Sequence, residues 1–196
     1  SAFEDAKTCR ISKRMDAEGG TVFTIQTSIS YGTGSVSAFE VNGQVMLENV
    51  ITDKEGFKRQ MGTNQSMNSN EFARLKNEIY AAPLMHLDDL EGNAELLGTL
   101  EDKGGSQNVV RVSYSSGHQQ TLFFDAKTAL LLKSIDEHNS SSSVSKITSH
   151  YEDYQEFDGL TFPANTIQTT NGREIQFIVE SMKFDVRIDP KIFNRY

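Results

Sequence analysis

The stretch Tyr151–Gln168, which reads YEDYQEFDGLTFPANTIQ, decides how this chain folds. It places carboxylates before Asp158-Gly159, aromatic rings on both sides of it, and Pro163 after it. Asp-Gly is a strong hairpin-turn dipeptide, because both positions tolerate the positive φ that a tight turn requires. The carboxylates fall on both faces of an extended segment and lack calcium-loop spacing. The stretch therefore predicts a corner between two β-strands, with its acids facing water and Pro163 at an edge or strand break.

Alternation of apolar residues at every second position continues from this corner in both directions. Asn42-Gly43 and Asn171-Gly172 are two further hairpin turns between such runs. Side chains that this spacing places on one face of their strands include Cys9, Ile11, Met15, Phe23, Ile25, Ile29, Val110, Val112, Tyr114, Ile175, Phe177 and Val179. About ten to twelve such runs predict an antiparallel sandwich, a barrel or a large curved sheet.

One segment breaks the strand pattern. Asn68–Glu71 has the spacing of a helix capping box, and apolar residues recur after it at helical intervals. Pro83 is expected to end or kink this helix. We therefore predict one main helical segment, at about residues 69–90, that covers one face or plugs one mouth of the sheet. Pro190–Phe193 is predicted to form a final single turn.

Composition limits the classes of function. The chain has 196 residues, suits a single domain (1–196), and carries a net charge of −8. Nucleic-acid surfaces need clustered Lys and Arg, so this charge argues against nucleic acid and against simple attraction to an anionic membrane. No apolar run approaches the roughly 18 residues that span a bilayer. Cys9 is alone, which excludes an internal disulfide and a thiolate zinc cage, and we predict a buried, inert thiol.

Residue types that commonly carry catalysis do not form a recognisable motif. The four histidines are His86, His118, His138 and His150. None has the spacing that places two imidazoles on one metal ion. The best metal-like cluster is His86–Asp89, but one His beside two acids near a helix end is typical of a solvated terminus. Ser140–Ser143 is polar loop composition without an activating partner. We therefore predict no catalytic residue, no metal site and no cofactor.

The corner at residues 151–168 resembles that of lipoprotein-carrier-like (LolA/LolB-like) domains. Such domains occur in Bacteroidetes-type envelope proteins, and include non-catalytic domains attached to insulinase-like zinc proteases. Four other stretches match in the same order: FEVNGQVMLENVITDKEGF (39–57), SMNSNEFARLKNEIYAAPLMHL (66–87), FFDAKTALLLK (123–133) and MKFDVRIDPKIF (182–193). These motifs are short and structural, and their order and spacing carry the resemblance.

The resemblance implies a mainly β fold: a strongly curved antiparallel sheet that forms an unclosed barrel, with helical structure over its concave side. It also implies a non-enzymatic module of the bacterial periplasm or cell envelope that binds a lipid, a lipoprotein acyl chain or another hydrophobic ligand. From the alternating pattern, the residues that could line an apolar groove are Phe23, Ile25, Ile29, Val110, Val112 and Phe124, which equally suit an ordinary core.

A second hypothesis makes the chain a structural or protein-interaction accessory domain of an envelope complex or a zinc protease. Such a domain would present an exposed sheet edge or apolar patch to an envelope protein partner, in place of a cavity.

Overall fold

A computed structural model describes residues 6–16, 22–81, 92–102, 104–114, 118–139 and 144–195. Strands dominate these residues, and two short helical elements accompany them. The strands are β1 (Thr8–Asp16), β2 (Val22–Ser30), β3 (Gly34–Val41), β4 (Gln44–Thr52), β5 (Gly56–Gln60), β6 (Thr63–Ser66), β7 (Gly92–Asp102), β8 (Gly105–Tyr114), β9 (Gln119–Asp125), β10 (Leu131–Asn139), β11 (Val144–Phe157), β12 (Leu160–Thr170) and β13 (Arg173–Phe184). The helical elements are α1 (Ser69–Ala81) and the 3-10 turn α2 (Pro190–Phe193).

All thirteen of these strands belong to one antiparallel sheet, in the order β6-β5-β4-β3-β2-β1-β13-β12-β11-β10-β9-β8-β7. The sheet consists of two meanders, β1–β6 and β7–β13, joined where β1 pairs with β13. Strands β6 and β7 lie at its two edges, so the barrel is not closed. The predicted mainly β, unclosed and strongly curved sheet is confirmed. The strands that the alternating pattern missed are β5, β6 and β7.

The hairpin turns follow the sequence. Asn42, Asp158 and Asn171 have φ values of 52°, 50° and 51°, and the glycine after each also has a positive φ. The predicted corner is confirmed, because Asp158-Gly159 joins β11 to β12. The Asp158 carboxylate also accepts a hydrogen bond of 2.9 Å from the backbone N–H of Phe184, which fixes the corner to the end of β13. Pro163 lies where β12 pairs with β11 only, since β13 pairs with residues 165–170.

Helix α1 begins where the sequence predicts. The side-chain oxygen of Asn68 accepts a hydrogen bond of 2.9 Å from the Glu71 backbone N–H, which caps the first turn. The Glu71 carboxylate pairs with Lys58 of β5 at 2.6 Å, so the helix is anchored to the sheet. The Met67 side chain packs closely against Gly56, where an added Cβ would lie 2.8 Å from the Met67 sulfur.

Several predicted features lie outside the described residues. They are residues 82–90 of the predicted helical segment, which include Pro83 and the His86–Asp89 cluster, and the polar run Ser140–Ser143.

The carboxyl-terminal segment covers the outer face of β3–β5. Val36, Val50, Phe57 and Phe193 form a buried cluster there, and Ile188 and Ile192 pack against it. The guanidinium groups of Arg59 and Arg195 lie 5.7 and 5.8 Å from the Phe57 ring centre. The predicted terminal turn is confirmed. It covers the outer face of β3–β5 and leaves the concave face uncovered.

A second cluster lies where β1, β2 and β13 meet. Its buried members are Cys9, Ile11, Ile29, Val179 and Met182. Cys9 is fully buried, and burial raises the pKa of its thiol to about 12. The prediction of a buried thiol is confirmed, and the raised pKa is in keeping with low reactivity because the thiolate is the reactive form.

Gly34 provides a test of the backbone packing between β3 and β4. A Cβ at Gly34 would lie 2.2 Å from the backbone oxygen of Ile51, which cannot move without breaking the strand pairing. Overpacking of this kind costs about 1–3 kcal/mol, so Gly34→Ala should lower the unfolding free energy by about 3 kcal/mol. Gly104→Ala is the control, since a Cβ there meets nothing within 4 Å. Urea unfolding should separate the two variants; equal stabilities would contradict this account of the packing.

Candidate functional site

The curvature of the sheet encloses a cavity of about 490 Å³ on its concave face. This volume falls within the roughly 300–1,000 Å³ typical of ligand sites. Strands from both meanders contribute side chains, and α1 contributes Leu75 at one side. The lining residues are Ile11, Lys13, Ile25, Thr27, Ile29, Ser35, Ser37, Phe39, Asn49, Ile51, Leu75, Tyr114, His118, Gln120, Leu122, Phe124, Ala129, Leu130, Leu131, Asp136, Ile147, Ser149, Tyr151, Tyr154, Thr161, Phe162, Pro163, Thr166, Gln168, Phe177 and Val179.

Apolar side chains line the cavity on both sides. Ile25 and Ile29 of β2 belong to one meander, and Leu122 and Phe124 of β9 belong to the other. Phe177 of β13 lies on the wall between them. The concave face therefore carries apolar side chains from both meanders.

The structure brings together some of the predicted groove residues and separates others. Ile25, Ile29 and Phe124 line the cavity. Val112 is buried in a cluster with Tyr114 and Leu122, Val110 packs against that cluster, and neither valine lines the cavity. Phe23 lies further along β2, opposite Met15, and does not line the cavity.

Strands β2–β4 also present polar side chains to the cavity. The Thr27 and Ser37 hydroxyls are 3.0 Å apart and share a hydrogen bond. Ser35 is buried on the same face of β3, whereas Val36 points to the outer face under the carboxyl-terminal segment. The expectation of an apolar groove is therefore too simple, because this part of the wall is polar.

A polar cluster lies on the opposite wall of the cavity, around the Asp136 carboxylate. Gln120 donates a hydrogen bond of 2.8 Å to Asp136 Oδ1, and Ser134 donates one of 3.2 Å to Oδ2. His118 Nε2 lies 3.4 Å from Oδ1. Ser134 is fully buried and His118 is 9% exposed, so the carboxylate is held by groups that are themselves sequestered from water.

Two tyrosines complete this network. The Tyr114 hydroxyl donates to the Gln120 side-chain oxygen at 3.3 Å, and its ring stacks on His118 with centres 5.1 Å apart. The Tyr151 hydroxyl lies 3.0 Å from Ser134 Oγ. Burial raises the pKa of Tyr114 to about 12 and also raises the pKa of Tyr151, so both phenols keep their protons at neutral pH. We call Tyr114, His118, Gln120, Ser134, Asp136 and Tyr151 the Asp136 cluster.

Sequence reasoning did not find the Asp136 cluster. It considered His118 only as one of four histidines without metal-ligand spacing, and it did not single out Asp136. Ser134 and Asp136 share a face of β10, and Asp136 lies directly opposite Gln120 of β9. The sequence signal for this cluster was the alternation of the polar residues Ser134 and Asp136 on β10. Sequence alone does not show that their face points inward, because that depends on how the whole sheet curves.

The geometry suits polar binding better than nucleophilic catalysis. A serine nucleophile must be reachable by its substrate, but Ser134 is fully buried and donates its one hydroxyl proton to Asp136. Among the described residues, no group of three or more His, Cys, Asp or Glu side chains is close enough to hold a metal ion. In the same part of the chain, no helix is long and apolar enough to span a bilayer.

An open antiparallel sheet with a cavity on its concave side and a helix at one margin defines a LolA-like fold. No protein-family model matches the chain, and no curated protein matches it. Solved structures do match over nearly the whole chain.

A LolA superfamily protein from Nitrosomonas europaea is 13% identical with a TM-score of 0.67, covering 98% of this chain and 91% of its own. A domain assigned to outer membrane lipoprotein sorting, from Vibrio parahaemolyticus, is 12% identical with a TM-score of 0.67, covering 99% and 92%. A DUF1329 family protein from Desulfovibrio piger is also 12% identical, with a TM-score of 0.69 and coverage of 99% and 92%. At these identities the likeness establishes the fold alone.

The buried Tyr114 phenol should make the unfolding free energy decrease at alkaline pH. An unfolded tyrosine titrates near pH 10, whereas burial raises the pKa of Tyr114 to about 12 in the folded state. Below about pH 10 both states hold the proton; above it the unfolded chain releases its proton first, so stability falls as pH rises through about 12. Tyr114→Phe should remove a slope of up to about 1.4 kcal/mol per pH unit in this range.

Urea unfolding at pH values from about 9 to 12 measures this slope. The difference in tyrosinate absorbance between the wild type and Tyr114→Phe assigns the phenol. A Tyr114 phenol that titrates at its ordinary pKa would contradict its burial in the Asp136 cluster.

Proposed function

We propose that this protein is a non-enzymatic binding module that holds a lipid, a lipoprotein acyl chain or another hydrophobic ligand in its concave cavity. The observation that carries the proposal is the cavity of about 490 Å³ lined by apolar side chains from both meanders. We further propose that the chain works in the bacterial periplasm or cell envelope, as one LolA-like domain over residues 1–196.

The cavity can supply enough binding free energy for an alkyl chain. Each CH₂ group transferred from water contributes about 0.8 kcal/mol, so ten groups contribute about 8 kcal/mol before the cost of immobilising the ligand. A binding free energy of about 8 kcal/mol corresponds to a Kd near 1 μM. Micromolar or weaker affinity for single-chain probes is therefore expected.

The fold likeness supports the same class of function. One similar structure belongs to the LolA superfamily and another is assigned to outer membrane lipoprotein sorting. A hydrophobic or lipoprotein ligand and an envelope location would be in keeping with both. The proposal itself depends on the cavity of this chain.

The accessory-domain alternative is not favoured. It would use the exposed side chains of Leu96, Leu97 and Leu100 on the edge strand β7 to contact an envelope protein. Exposed leucines on an edge strand suit a docking surface, but they leave the cavity without a role.

Filling the cavity should abolish binding. Thr27 lines the cavity, and Thr24 lies on the same strand with its side chain on the opposite face. Thr27→Trp should therefore weaken binding of a fluorescent fatty-acyl probe at least tenfold, whereas Thr24→Trp should leave it within about twofold. The natural chain contains no Trp, so the emission of each variant comes from its introduced indole alone and reports the environment of that side chain.

Native mass spectrometry of protein purified from a bacterial envelope without added detergent provides an independent measurement. A co-purified lipid that is present in wild type and Thr24→Trp but absent from Thr27→Trp supports the proposal. Failure of the wild type to bind the probe, or equal binding by both variants, would overturn it.

A further inference from the structure

We propose that the Asp136 cluster binds the polar head of the ligand, and that this head is a hydrogen-bond donor: a hydroxyl or an amine. This inference rests on the proposed function, because it concerns the same cavity. It goes further by naming the chemical class of the ligand, an amphiphile with one alkyl part and one donor group.

The directions of the hydrogen bonds carry the argument. Ser134 has one hydroxyl proton, and when it donates that proton to Asp136 Oδ2 at 3.2 Å, Tyr151 is the donor in its 3.0 Å contact with Ser134. Tyr114 donates to Gln120, and Gln120 donates to Asp136 Oδ1. Both branches of the network therefore direct their protons at the one carboxylate.

The hydroxyl protons of this network are already donated within it, whereas the Asp136 carboxylate keeps unoccupied lone pairs. An ionised carboxylate has about four acceptor sites, of which Gln120 and Ser134 occupy two and His118 lies within reach of Oδ1. The phenol oxygen of Tyr114 keeps acceptor capacity as well. The Asp136 side chain is 17% exposed and lines the cavity, so a ligand can reach it. A group that brings its own proton is the complementary partner.

Charge favours the same class of head group. Of the residues that the structure describes, the charged side chains that line the cavity are Asp136 and Lys13, with His118 beside the former. Lys13 lies on β1, which is separated from β10 by β13, β12 and β11, so it belongs to another part of the wall. An anionic head next to Asp136 would meet a like charge, whereas an amine would gain an opposite one and a hydroxyl would gain a charge-assisted hydrogen bond.

Apolar surface continues directly from the cluster. Ile147 lies opposite Asp136 in the β10–β11 pairing, and Leu122 lies opposite Ser134 in the β9–β10 pairing. Both line the cavity, as does Phe124. A head bound at Asp136 would therefore place the first part of its alkyl chain against apolar side chains.

A ligand series tests the inference in the unaltered protein. 1-Dodecanol and its methyl ether differ in the one donor proton, and dodecylamine and dodecanoate present a cationic and an anionic head on a matched chain. We expect the alcohol and the amine to displace a fluorescent fatty-acyl probe at about tenfold lower concentration than the ether, since hydrogen bonds to charged groups are the stronger kind. Dodecanoate should also bind more weakly than the amine. An ether that equals the alcohol, or a carboxylate that exceeds the amine, overturns the inference.

Asp136→Asn tests the carboxylate, because it keeps the shape and removes the charge. It should weaken dodecylamine binding about tenfold, reduce the difference between alcohol and ether, and leave dodecanoate at least as tightly bound. Glu137→Gln is the matched control, since it makes the same chemical change one residue along β10 on an exposed side chain of the other face. Dodecylamine affinity that is unchanged in Asp136→Asn, or equally reduced in Glu137→Gln, contradicts the assignment.

The outcomes separate this inference from the proposed function. Failure of every probe to bind the wild type would remove both. Equal binding of all four ligands, blocked by Thr27→Trp, would keep the hydrophobic-ligand module and remove the donor-head assignment. If Asp136→Asn does not fold, as judged by circular dichroism, the wild-type ranking of alcohol against ether still decides.

Discussion

The pairing of the first strand with the last is the constraint on which the rest of the structure depends. Strand β1 pairs along β13, and beyond the ladder the Asp185 N–H donates to the Thr8 carbonyl at 3.0 Å and the Thr8 hydroxyl donates to the Val186 carbonyl at 2.8 Å. These bonds join two meanders into one continuous surface. Without them the apolar side chains of β2 and β9 would not face a shared cavity, and neither meander alone could enclose a ligand.

Local sequence determined much of this fold, because turns and strand faces are local properties. Asn42-Gly43, Asp158-Gly159 and Asn171-Gly172 adopt the positive φ values that their residue types favour, and Asn68 caps the helix. Strand β7 could not be read in this way. Leu96, Leu97 and Leu100 are all exposed on that edge strand, so apolar residues there do not mark a buried face.

The face of the sheet that becomes concave was not predictable from alternation. On β3 and β4 the buried apolar positions Val36 and Val50 point outward, because Phe193 and the rest of the carboxyl-terminal segment cover them. Ser35 and Ser37 therefore face the cavity. The alternating pattern separates the two faces of these strands. Which face becomes the outer one depends on the contact of Val36 and Val50 with Phe193, which is more than a hundred positions away in the sequence. Alternation also does not show how far along a strand the cavity extends, which is why Ile25 and Ile29 line it and Phe23, on the same face of β2, does not.

A carboxylate that is only 17% exposed is an unusual feature to place in such a cavity. Removing a charge from water costs several kcal/mol, and replacing buried ionic groups with apolar residues of similar volume often leaves stability unchanged or increased. The Gln120 and Ser134 hydrogen bonds offset part of this cost, but they would be unnecessary if the position held a leucine like its neighbour Leu122. Stability alone therefore does not account for Asp136. A cavity wall that combines apolar side chains with an oriented carboxylate is better explained by a ligand that has both an apolar part and a polar head. The hydrophobic effect has no preferred direction, so the hydrogen bond to the head would fix the orientation of the ligand.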